Sequence, residues 1–181
     1  MALTSNTPGP MCALTVLTPI IPGHEDKLRD CLEGFRDTGS PLAKLPRTHF
    51  GRWVIVPSFV KDPTEPKEND LGCSYLLFSS TFDGPLDSYV DELCSQLAPE
   101  AERIWGCCIG CPESAGRPGL KAYLLHNQIE TGLFFSAYPT TSLETVKESL
   151  HTREQTIAFA TRTQGMEPAA LHKAFLEELR S

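Results

Sequence analysis

Apolar and β-branched residues crowd together from Cys12 to Ile20 (CALTVLTPI), and the run stops before Pro22 and Gly23, which is the pattern of a strand. The period then changes. From His24 to Phe35, Leu28, Cys31, Leu32 and Phe35 recur at i, i+3, i+4 and i+7, the stripe of an amphipathic helix. Gly39, Pro41 and Pro46 mark Thr38 to Pro46 as a loop, and Thr48 to Ser58 (THFGRWVIVPS) reads as a second strand halted at Pro57. Lys61 to Gly72 is polar, charged and interrupted by prolines, so it predicts an exposed connection. Cys73 to Phe82 (CSYLLFSSTF) predicts a third strand. Asp83-Gly84-Pro85 then starts a helix that buries Leu86, Tyr89, Val90, Leu93 and Leu97.

Pro99 to Trp105 predicts a short helix leading into a Cys-rich turn, and Gly119 to Asn127 fits either helix or strand. Thr131 to Tyr138 (TGLFFSAY) predicts a fourth strand. Thr141 or Ser142 can cap a long helix marked by Leu143, Val146, Leu150 and Ile157, and Gln164-Gly165 separates it from a last helix, Pro168 to Arg180. The order is β-α-β-β-α-(irregular)-β-α-α. This predicts an α+β fold, the split βαβ or ferredoxin-like arrangement, with an antiparallel sheet carrying helices on one face. Residues 1–11 are expected to be disordered, 12–162 to form the sheet domain and 163–181 a C-terminal helix.

In the second strand Phe50, Val54 and Val56 alternate with Gly51, Trp53 and Ile55, so both faces are apolar. One layer of helices covers one face, and the other calls for a second subunit, hence a homodimer.

Composition narrows the function classes. A chain of 181 residues can bury roughly 70% of its unfolded surface, so folding needs neither metal nor disulfide. A net charge of -7 argues against nucleic-acid and anionic-membrane partners. The first eleven residues hold no Lys or Arg, unlike a secretory leader, and the longest apolar runs (Leu76 to Phe78) are too short to span a bilayer. Cys12, Cys31, Cys73 and Cys94 occupy apolar positions, as small hydrophobes do in a reducing cytoplasm. Cys107, Cys108 and Cys111 contain one C-x-x-C, which is either a redox pair, half a metal site or a structural turn. No second half follows at zinc spacing, so no metal is expected.

THFGRWVIV, YLLFSSTFDGPLDSYVDEL, IWGCCIGCP and HNQIETGLFFSAYP, set in this topology, resemble the dimeric α/β-barrel superfamily over roughly residues 12–162. That superfamily includes antibiotic-biosynthesis-type monooxygenases and the haem-binding chlorite dismutases and dye-decolorising peroxidases. The resemblance implies a homodimeric oxidoreductase or cyclase acting on an apolar small molecule between sheet and helices, with either no cofactor or haem. Its alternative is a non-catalytic ligand-binding, haem-binding or dimerisation module. STFDG is similar to the peroxidase G-x-x-D-G at Asp83 and Gly84, with Ser80 at the leading glycine, although a helix-start Asp-Gly-Pro explains it equally well.

Candidate chemistry rests on few residues. Arg52, among apolar neighbours, either anchors a ligand anion or pairs with an acid such as Asp83 or Glu130. His126, before the fourth strand, is the candidate haem ligand or general base, with Arg52 on the cofactor's other side. His49 and Asp83 complete the catalytic set. His49 and Arg52, three apart on a strand, point to opposite faces unless a bulge intervenes. Trp53, Phe135 and Tyr138 are the candidate substrate walls, and His24 is placed to bond the first turn of its helix.

Overall fold

Strands β1 (Met11–Pro19), β2 (Thr48–Val56) and β3 (Tyr75–Asp83) form an antiparallel sheet in the order β1-β3-β2. The computed structural model describes residues 10–57, 72–112 and 117–178. Most of the expected 61–72 connection, residues 1–9 and the end of the last helix lie outside them. β3 alternates strictly: Leu76, Phe78, Ser80 and Phe82 are buried, and the residues between are half-buried. Its neighbours follow the same phase, Val16 opposite Phe78 on one side and Trp53 on the other. The described residues begin at Pro10, and β1 already begins at Met11. Met11 pairs with Asp83, and the Gly84 N–H donates to the Pro10 carbonyl at 2.8 Å.

Helices α1 (Glu25–Thr38), α2 (Leu86–Gln96), α3 (Ala98–Trp105) and α4 (Arg117–His126) contribute to one apolar cluster with this face of the sheet. Leu28 and Cys31 come from α1, Tyr89, Val90 and Leu93 from α2, and Leu120 and Leu124 from α4. Phe82 stacks on Tyr89 with ring centres 3.7 Å apart, and Trp105 meets Phe78 edge-on at 5.5 Å. Gly84 takes φ 90°, a left-handed turn that a side chain would strain, and thereby sends the chain from β3 into α2. The first turn of α1 is not bonded by His24, as the sequence suggests; Glu25 instead accepts from the Gly23 N–H at 2.8 Å.

The ambiguous stretch before Asn127 is helical, and the expected fourth strand shrinks to a bridge. Gln128 pairs with Val16, the Leu17 N–H donates to the Asn127 carbonyl at 3.1 Å, and the Ile129 N–H to the Thr15 carbonyl at 2.8 Å. Beyond Ile129 there is no strand among the described residues. The Tyr138 N–H donates to Ser136 Oγ at 3.1 Å, a local bond that turns the backbone away from a ladder, and Leu133 and Phe135 stand in solvent. Among the described residues the sheet therefore has three strands where four are expected.

The chain divides at Thr140 into two compact units. The second holds α5 (Leu143–Arg162), capped by the Ser142 hydroxyl on the Thr145 N–H, and α6 (Pro168–Glu178). The long helix thus groups with the last helix rather than with the sheet.

Candidate functional site

The sheet face away from the helices presents three rows set by the pairing register. Ala13, Thr81 and Phe50 form one row, Thr15, Ser79 and Arg52 the next, and Leu17, Leu77 and Val54 the third. Phe50 is 78% exposed and Val54 36%. A groove of about 520 Å³ runs over the first two rows, and Thr131 and Phe134 add to its wall. Among the described residues, Arg52 is the only charged one in its lining. Its Nε donates to Ser79 Oγ at 3.3 Å, and it forms no ion pair with Asp83, Glu130 or any other carboxylate among the described residues. Thr81 Oγ1, buried beside it, has no hydrogen-bond partner among the described residues. A guanidinium, hydroxyls and two phenyl rings can bind an anionic group at one end of an apolar body.

A β-bulge lies between Thr48 and Phe50, so two residues of β2 oppose one of β3 and His49 leaves the simple alternation. His49 Nε2 meets Asp83 Oδ1 at 2.9 Å, with the two side chains 7% and 16% exposed. By alternation Asp83 falls on the same side of β3 as Thr81, one row beyond Phe50 and Thr81, and neither Asp83 nor His49 is among the described residues that line the groove. Asp83 also gives its main-chain carbonyl to Arg47, whose guanidinium holds Glu92 at 2.8 and 3.0 Å. If Nε2–H donates to the carboxylate, Nδ1 carries the lone pair, and Asp83 steadies the imidazolium formed when it takes a proton.

The remaining candidates lie elsewhere. Trp53, adjacent to Arg52, opens on the helix side, 5.2 Å from Phe78 and 6.4 Å from Trp105, and it lines a smaller groove of about 410 Å³ with Phe35 and Ile55. Phe135 and Tyr138 are 81% and 67% exposed, and Phe134 is the member of that run that reaches the groove. His126 ends α4, exposed, and lines none of these grooves. Between sheet and helices Trp53, Phe78, Trp105, Phe82 and Tyr89 fill the space. An exposed His126 and an Arg52 on the opposite side of that packed layer do not fit a haem held between them.

No protein family, curated protein or solved structure matches this chain.

All seven cysteines are free thiols, and no group of three or more metal-ligating side chains occurs among the described residues. The Cys-rich turn is a strap on β1. Cys108 bridges to Ile20, the Ile109 N–H donates to the Pro19 carbonyl at 2.8 Å, and Cys108 Sγ accepts from Thr18 Oγ1 at 3.3 Å. Gly110, at φ 77°, makes its tight corner. Burial pushes the Cys108 thiol up to about 12 and the Cys94 thiol up to about 11, from an ordinary value of 9.0. Above pH 9 the unfolded chain releases these protons while the folded chain keeps them. Stability fully present below pH 9 is therefore lost as pH climbs through 11 and 12. The melting temperature should fall between pH 9 and 11, and less steeply in Cys94→Ala. An identical slope in that variant would contradict the assignment.

Proposed function

We propose that this protein is a small-molecule enzyme on a dimeric α/β-barrel scaffold, an oxidoreductase or cyclase acting on an apolar substrate in a reducing cytoplasm. The substrate lies in the groove on the helix-free face of the sheet. The observation that carries this reading is Arg52, an ion without a counter-ion among the described residues, set among hydroxyls and phenyl rings. The strand order, with Gln128 on the free edge of β1, supports the ferredoxin-like arrangement.

Arg52 anchors an anionic or polarisable end, Phe50 and Phe134 flank the apolar body, and His49, oriented by Asp83, takes a proton from carbon or oxygen. A second copy closes the groove from above, because Phe50, Val54, Leu77 and Leu17 make an apolar surface of the kind subunits bury. The filled space between sheet and helices supports a second reading, a binding module without catalysis.

Two measurements test the proposal. Light scattering at micromolar concentration is expected to give about 40 kDa, twice the 19.9 kDa chain; a stable 20 kDa species would remove the dimer. A calorimetric panel of hydrophobic acids and quinones is expected to yield a binder that is also turned over. Binding without turnover selects the module, and no binding removes both.

A further inference from the structure

α5 carries an apolar stripe that its own hairpin leaves uncovered. At 3.6 residues per turn, Val146, Leu150 and Ile157 fall within about 40° of one another around the helix. Phe159 and Thr163, the buried residues of this unit, lie roughly 140° from that stripe. Phe159 meets Phe175 of α6 at 6.2 Å, and Arg162 pairs with Glu178, so α6 sits on the far side of α5. Leu150 and Ile157 remain 52% and 51% exposed. They are one heptad apart, with Val146 one turn before Leu150, which is the spacing of a helix–helix seam. Lys147 and Glu154, also a heptad apart, flank the seam, and neither forms an ion pair among the described residues.

We propose that α5 pairs antiparallel with α5 of a second copy of this chain. About a twofold axis between Leu150 and Arg153, Val146 lies against the partner's Ile157, and Lys147 lies alongside the partner's Glu154. Symmetry repeats each contact, so two complementary ion pairs flank one apolar seam. Arg153 decides the direction. A parallel pair would set Arg153 against the partner's Arg153 at the axis. The antiparallel pair offsets the two, and each aliphatic stem lies over leucine while its charge reaches water. With α6 behind each α5, the assembly is a four-helix arrangement of two hairpins.

The inference is independent of the sheet-face dimer, and charge reversal separates them. Full-length Lys147→Glu and Glu154→Lys chains each turn both pairs into like-charge contacts, which weakens self-association roughly tenfold. Mixed together, the two variants restore both pairs. Native mass spectrometry, with one variant carrying a mass tag, is expected to show mixed dimers well above the one half that random pairing gives. Unchanged circular dichroism verifies that each variant folds. Mixed dimers at one half would mean a dimer held elsewhere, such as at the sheet, or α5 seated on its own chain, and would overturn the pairing. Absence of any dimer, in variants and unsubstituted chain alike, would overturn it too.

Discussion

Replacing Phe78 by alanine is expected to lower unfolding stability by about 3–5 kcal/mol, a large part of the roughly 5–15 kcal/mol that holds a domain of this kind together. Phe78 is fully buried at the middle of the central strand, opposite Val16 and Trp53. Its ring lies 5.2 Å from Trp53 and 5.5 Å from Trp105, which is itself fully buried. Two indoles and a three-stranded ladder cannot collapse into the space left, so the lost transfer energy is joined by the energy of a cavity. Phe135→Ala is the contrast. That ring is 81% exposed, and its loss should change stability by no more than about 0.5 kcal/mol. Urea titrations of both variants check the pair, and a loss below about 1 kcal/mol in Phe78→Ala would place the core elsewhere.

The sequence makes the sheet legible where side chains alternate against a single buried face. Thr48–Val56 and Tyr75–Asp83 match the expected second and third strands to within two residues. Leu28, Cys31 and the α2 stripe likewise mark helix faces that do pack. Thr131 to Tyr138 misleads because β-propensity registers apolar and aromatic content but not whether a partner edge is available. Among the described residues the free edge of β1 takes Asn127 to Ile129 beside Thr15 and Leu17 and the Cys-rich turn at Pro19, and a serine two residues before Tyr138 satisfies its N–H locally.

Of the candidate site, Asp83 and His49 are brought together, by a bulge whose position no hydrophobic pattern reveals. Trp53 follows from alternation alone, since a residue next to Arg52 on a strand faces the other way. The groove hydroxyls Thr15, Ser79 and Thr81 are missed because small polar residues inside apolar strands carry little signal until register aligns them. Once β1, β2 and β3 are aligned antiparallel, the row Thr15, Ser79, Arg52 identifies them.

Arg52→Met retains the aliphatic length and removes the charge. Arg52 is exposed, bonded only to Ser79 Oγ among the described residues, and part of no buried network, so the fold should tolerate the change within about 0.5 kcal/mol. For an acid bound in the groove, loss of a charge-assisted hydrogen bond should weaken binding by roughly 10- to 100-fold. His49→Asn, which leaves the groove lining intact, should retain that affinity and lose turnover by roughly 10²- to 10⁴-fold. The direct measurement is calorimetric titration of one hydrophobic acid into unsubstituted and Arg52→Met protein, with melting temperatures recorded on the same samples. Lost binding at an unchanged melting temperature is the predicted result; equal binding by the two proteins, or unfolding of Arg52→Met, would contradict the groove as the functional site.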